Sequence, residues 1–250
     1  MHLLLTNDDG ISAPGLLALK QALEPLGTVT VIAPSRNYSA AGHRKTLHKP
    51  LRIDAARLDD GAPAWVCSGA PSDCVALALL GFVKEKVDLV VSGINPNVNL
   101  GQDLTYSGTV TAALESVIAN VPGMAVSTDA RGTADYVQAG QVAAAVAGAI
   151  GRYGLPPGVA LNVNVPSGTL KGIRFTRQGW SIFRDQLVER LDPRGRPYYW
   201  IGGDRPTGVA DEGTDFWAIE NGYISITPLQ LDLTAHSALA ALLDWKLSYP

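Results

Sequence analysis

Four short apolar runs limit what this chain can become: residues 3–6 (LLLT), 28–33 (TVTVIA), 87–91 (VDLVV) and 123–127 (GMAVS). They are short and apolar along nearly their whole length, which suits strands covered on both faces. Segments of helical spacing lie between them. Residues 14–26 carry Leu16, Leu19 and Leu23 before a stop at Gly27, and residues 71–82, 107–120 and 134–150 also read as helices. Trp65 and Val66 add a further short strand. Strands separated by single helices imply parallel βαβ units, so the chain is expected to be α/β with a mostly parallel sheet between two layers of helices.

The second half is written differently. Residues 161–165 (LNVNV), 173–176 and 222–227 (GYISIT) read as strands, and residues 235–243 as a last helix. Between them, residues 192–213 are rich in Pro, Gly, Arg and aromatics and include Pro197-Tyr198-Tyr199-Trp200-Ile201, the expected arm of a β-hairpin. An aromatic arm needs cover, either by folding back on its own core or by exchange between subunits. One domain over 1–250 is expected, with a core of about 1–180 plus the C-terminal helix and an arm of about 181–230.

Hydrophobic residues make up 46% of the chain, enough for a sizeable core, and the net charge of −3 gives no support to a nucleic acid polymer or an anionic membrane as partner. No apolar run approaches the roughly 20 residues a bilayer requires, and no basic stretch precedes an apolar one at the start, so neither a span nor a signal peptide is expected. Cys67 and Cys74 have neither redox nor zinc spacing and read as small apolar residues. A soluble cytoplasmic protein is the expectation.

In an open parallel sheet, ligands bind outside the carboxyl ends of the strands. Those ends carry the polar loops. Asn7-Asp8-Asp9-Gly10 follows the first strand, a loop from Pro34 through Ser39 to His43 the second, Ser92-Gly93-Ile94-Asn95 and an asparagine-rich loop the third, and Ser127-Thr128-Asp129 the fourth. The rim is rich in oxygen: carboxylates from Asp8 and Asp9, a hydroxyl from Ser39, an amide oxygen from Asn95. Such donors favour Mg²⁺ or Mn²⁺ over Zn²⁺, and a cation would relieve the repulsion between adjacent acids. The bland alternative has Asp8 capping the first helix and Asp9 in solvent. Ser107-Gly108-Thr109 opens a helix whose free N–H groups suit a phosphate, unless Ser107 is an ordinary cap. Asn7 is a further candidate for holding phosphate or a ligand. His43, Arg44 and Lys45 either meet a phosphate or form a solvated turn. GxGxxG, GxxxxGK[ST] and GxSxG are all absent.

At these motifs the sequence resembles the survival protein E (SurE) family. The resemblance rests on Asn7-Asp8-Asp9-Gly10, residues 34–39, Gly69-Ala70-Pro71-Ser72-Asp73, Ser92-Gly93-Ile94-Asn95, Tyr106-Ser107-Gly108-Thr109-Val110, Thr214-Asp215 and residues 222–229, and so spans nearly the whole chain. It implies a Rossmann-like core and a metal-dependent phosphatase acting on nucleoside 5′-monophosphates, with 3′-monophosphates and polyphosphate as further substrates. It implies one divalent ion per subunit on Asp8, Asp9, Ser39 and Asn95, with Asp8, Asp9 and Asn95 in the catalytic set. The phosphate turn would be Ser107-Gly108-Thr109, and a homodimer or homotetramer would form through the exchanged arm. The sequence departs from the family at Asn97, where glycine is usual; asparagine tolerates a left-handed backbone better than most residues. Two rivals explain less. An aspartyl-phosphate enzyme spaces its acids by one residue, and a nucleotide-binding module without turnover would show no metal-dependent phosphate release.

Overall fold

The computed structural model describes residues 1–249, and their side chains except at 204–206. In chain order the strands are β1 (His2–Thr6), β2 (Thr28–Pro34), β3 (Ile53–Arg57), β4 (Pro63–Cys67), β5 (Leu89–Asn95), β6 (Gly123–Thr128), β7 (Val159–Val165), β8 (Ile173–Phe175), β9 (Ser181–Leu191), β10 (Pro197–Gly208) and β11 (Ile224–Gln230). The helices are α1 (Pro14–Leu23), α2 (Pro71–Leu77), α3 (Gly108–Ile118), α4 (Thr133–Tyr153), α5 (Asp215–Glu220) and α6 (His236–Leu243). Nine strands form one sheet in the order β3-β4-β2-β1-β5-β6-β7-β11-β8. From β4 through β7 every pairing is parallel; β3 against β4 and β11 against β7 are antiparallel.

The strand period of two explains the layers. Leu3 and Leu5 face the layer of α1 and α4, packed among Leu16, Leu19, Leu23, Ala143 and Ala147. Leu4 faces the other way, against Cys74, Val75 and Ala112 of α2 and α3. A strand buried on both sides has no polar face to offer, which is why these runs read as unbroken apolar sequence.

Three elements depart from expectation. β3, sequence IDAAR, was not anticipated, because this half-exposed antiparallel edge carries no apolar run. The regular part of the helix expected at 71–82 ends at Leu77; a wider turn follows, in which Gly81 takes φ +116°. The arm is shorter than expected. Among the described residues β9 and β10 pair only with each other, after which α5 and β11 return the chain to the main sheet, so residues 209–230 belong to the core and the arm is 181–208.

Candidate active site

The parallel register sets Thr6 of β1 beside Ser92 of β5, so the chain leaves both strands at the same rim. Beyond β1, Asn7 folds the backbone into a turn. Its Nδ2 donates to the Gly10 carbonyl at 2.9 Å and its Oδ1 accepts the Gly10 N–H at 3.1 Å. Gly10 sits at φ +103°, a conformation that favours glycine. Asn7 is fully buried with its amide closed on this turn, and the side chain expected to meet phosphate instead shapes the loop that carries the acids.

Asp8 points at the start of α3. Thr109 Oγ1 donates to its Oδ1 at 2.6 Å, and the backbone N–H groups of Gly108 and Thr109 also face the carboxylate. Burial pushes the Asp8 carboxyl up, these donors pull it down, and it ends above the ordinary carboxylate value. A Cβ on residue 108 would stand 2.8 Å from the Asp8 Cβ, so the helix can come this close only as glycine. The negative carboxylate meets the positive end of the helix dipole.

Asp9 is less enclosed and accepts one side-chain bond, from Asn37 Nδ2 at 3.2 Å. Burial and then the charge of Asp8 push its carboxyl up to about 6. Among the described residues neither acid has a Lys, Arg or His partner. Asn37 also accepts the Ser39 N–H at 2.7 Å, and the Tyr38 N–H donates to the Asp8 carbonyl at 2.7 Å, so Ser39 is brought to the acids by its neighbours. The strap that follows is fastened to the helices. Gly42 N–H donates to the Tyr106 carbonyl at 2.9 Å, and His43 and Lys45 contact the buried Glu115 of α3 at 2.8 and 2.9 Å. Thr46 is held by Asp73 of α2 through two bonds. His43 and Lys45 therefore clamp the strap to α3.

Asn95 ends β5. Its Nδ2 donates to the Asn97 carbonyl at 2.6 Å, leaving Oδ1 as the free end of the amide. Ala40 and Asn120 are the non-glycine residues described with positive φ; Asn97 takes no left-handed conformation, and the turn has no need of one there. Ser107 caps α3, its Oγ accepting the Val110 N–H at 3.2 Å. The two readings of residues 107–109 meet here: Ser107 is a cap, and the anion at the helix start is the carboxylate of Asp8.

A cavity of about 380 Å³ opens beside Asp9, lined by residues 10–15 with Arg36, Pro96 and Tyr136. Burial first, and then the charge of Asp9, raise the Tyr136 hydroxyl. Sequence reasoning missed Asn37, Glu115 and Tyr136. Asn37 lay inside a singled-out loop; the other two gave no signal, since each acquires meaning only from a partner distant in the chain.

Among the described residues no three His, Cys, Asp or Glu side chains converge on a common point. A cation at this rim would rest on two carboxylates and neutral oxygens. The donor set fits that use: two adjacent acids without a positive partner, one of them unwilling to lose its proton, and an amide turned so that its oxygen is free. Hard oxygen donors suit Mg²⁺ or Mn²⁺.

The chain matches the family model described as survival protein SurE over residues 3–185. It is 51% identical to the 5′-nucleotidase SurE of Chloroflexus aggregans, covering 98% of this chain and 99% of that protein. It is also 51% identical to 5′-nucleotidase SurE 1 of Thermus thermophilus, covering 97% of this chain and 96% of that one. The crystal structure of the SurE protein from Aquifex aeolicus has a TM-score of 0.81 and 39% identity, covering 97% of this chain and 98% of that chain.

Proposed function

The chain belongs to the survival protein SurE family, and from that premise we propose that it hydrolyses nucleoside 5′-monophosphates to nucleoside and phosphate at the rim built around Asp8 and Asp9. It is a phosphoric monoester hydrolase, as its named relatives are 5′-nucleotidases. Hydrolysis of 3′-monophosphates, and of the terminal anhydride of polyphosphate, extends the proposal to substrates that present the same terminal phosphoryl group, with a nucleoside hydroxyl leaving in the first case and a shortened polyphosphate in the second.

Asp8, Asp9, Ser39 and Asn95 would hold one divalent ion per subunit, Mg²⁺ or Mn²⁺. When bound, such an ion supplies Lewis-acid polarisation of the phosphoryl oxygens and helps orient a water. The chain's own groups do the rest. Thr109 and the α3 amides fix Asp8. Ser107 offers its hydroxyl hydrogen to the phosphate, while its oxygen caps the helix. Asn95 directs its amide oxygen because its nitrogen is committed to Asn97. Asp9 is the acid free to take the proton of the attacking water. It borders the cavity and has one side-chain donor, whereas donors surround Asp8.

The observation that carries this reading is the pair of adjacent carboxylates beyond the end of β1 that have no cationic partner among the described residues. The test is phosphate release from a panel of nucleoside monophosphates with Mn²⁺ or Mg²⁺, and with chelator. Release that needs the ion, and is lost in Asp8→Asn and Asp9→Asn with folding intact, is the expected result. Nucleotide binding without such release would instead indicate a binding module.

The arm supports a homodimer or homotetramer, since among the described residues β9 and β10 have no other strand beside them and carry Trp200 and Ile201 in the open. No helix among the described residues is long and apolar enough to cross a membrane. The cytoplasm is our assignment, supported by two cysteines that are both free and buried.

A further inference from the structure

Thr214-Asp215 stands out in the sequence, yet the reaction above makes no use of it. Thr214 caps α5 through the Trp217 N–H at 3.2 Å. Asp215 is fully buried 114 residues from its most distant partner in the chain. Its Oδ2 accepts the Gly101 N–H at 2.9 Å, and its Oδ1 accepts the N–H groups of Gly179 and Phe216, both at 2.8 Å. Among the described residues it has no cationic partner, so three backbone dipoles must compensate its buried charge.

The three donors belong to different segments. Phe216 lies in the first turn of α5, Gly179 at the base of the arm, and Gly101 in the loop of residues 96–106 that joins Asn95 to Ser107. Further bonds draw the same segments together. Gln178 Nε2 donates to the Gly101 carbonyl at 2.7 Å, Gln102 N–H to Ser181 Oγ at 2.9 Å, and Gln102 Nε2 to the Gly179 carbonyl at 3.2 Å. The other end of the loop is fixed to the sheet. The Asn99 N–H donates to Asn164 Oδ1 at 2.8 Å, and the Asn99 carbonyl accepts from Asn162 and Asn164. The Asn99 bonds hold the near end of the loop and Gly42 holds the Tyr106 carbonyl at 2.9 Å at the far end; between them, residues 101 and 102 are fastened by Asp215, Gln178, Gly179 and Ser181.

We propose that Asp215 is a positioning residue of the active site: by gripping Gly101 it fixes the loop between Asn95 and Ser107, and it ties that loop to the base of the arm. Asparagine, serine or threonine would present fewer acceptor lone pairs for three N–H groups; a carboxylate can take all three. The proposal rests on the reading of the site as a metal-dependent phosphatase.

The test is Asp215→Asn in the intact protein. With Oδ1 kept on Gly179 and Phe216, the amide nitrogen faces the Gly101 N–H and donor meets donor. Mn²⁺ binding by calorimetry without substrate should weaken about tenfold, the lower end of what supporting partners of metal ligands contribute. Turnover at saturating Mn²⁺ should also fall about tenfold, with KM for the nucleotide changed by less than about threefold. Thr214→Ala removes the α5 cap and lowers thermal stability without touching Gly101, so its turnover and Mn²⁺ affinity should stay at the wild-type level. Should Asp215→Asn not fold, Gln178→Ala cuts the neighbouring tie from an exposed position, and Mn²⁺ binding should weaken by at least about threefold.

Mn²⁺ affinity and turnover unchanged in the folded variant would overturn the proposal, as would an equal loss in Thr214→Ala. A wild-type protein with metal-dependent turnover and an unaffected Asp215→Asn removes this inference alone. A wild-type protein without such turnover removes the reading of the site and this inference together.

Discussion

Asp9 holds its proton up to about pH 6 because it is partly buried beside another carboxylate. The sign follows from linkage. Its folded value lies above its ordinary 3.8, so the stability it contributes is present at low pH and lost as pH rises through about 6. A cation held by the acids, as proposed, would reverse that loss. Addition of Mn²⁺ should therefore raise the melting temperature more near pH 7.5 than near pH 5, and Asp9→Asn should flatten the difference; calorimetry at the two pH values decides it. At Asp8 the lever is a hydroxyl. Thr109→Val leaves the carboxylate short of a donor in a buried place, which costs about 1–3 kcal/mol of stability and roughly tenfold in turnover. Thr109→Ser should restore most of both, as melting curves and phosphate release would show. The acids were legible in the sequence because they stand at a strand's end without a basic neighbour. Asn7 was misread because a side chain that closes its own turn looks, in sequence, like one offered to a ligand.

At the scale of elements, the strap of residues 39–46 shows how a loop becomes part of a site. Its grip is Glu115 on α3. Burial pushes the Glu115 carboxyl up, but the bonds from His43 and Lys45 outweigh it and hold the group below its ordinary 4.5. The stability of this clamp is therefore present above that value and lost as pH falls through the folded one. Glu115→Gln should speed amide hydrogen exchange across residues 39–46 at neutral pH. Wild-type strap exchange, corrected for intrinsic rates, should approach the variant's only in acid. Equal protection in both proteins at neutral pH would show that Asp73 and the Gly42 bonds fasten the strap without Glu115. The strands and most helices were readable from period and length, because burial on both faces leaves a strong pattern. β3 and α5 were not: β3 is a half-exposed edge, and α5 is six residues long and set by tertiary contacts.

Across the whole molecule, the unmet demand is cover. Trp200 is 64% exposed and Ile201 85%, on a hairpin that pairs with no other strand among the described residues. Replacing both with serine should reduce the mass seen by light scattering from an oligomer to a smaller species, with the sheet of the core intact by circular dichroism. An oligomer of unchanged mass would place the contact elsewhere, and a monomeric wild-type protein would remove the proposed assembly. The sequence announced the arm by its aromatics but not where it stops, because α5 and β11 return to the sheet through pairings that no local pattern encodes. The same long reach governs how the molecule is made. Asp8 meets Thr109 across 101 positions, and Gly101 meets Asp215 across 114. Contacts so distant form late and slowly. A chain still emerging from the ribosome can complete its first strands and helices, yet the loop of residues 96–106 lacks its tie to Asp215 until nearly nine-tenths of the chain has been synthesised (215 of 250 residues). Chains that end before Asp215 should therefore be silent, and because β11 follows at Ile224–Gln230, the closed sheet and the activity should both appear only near the end of synthesis.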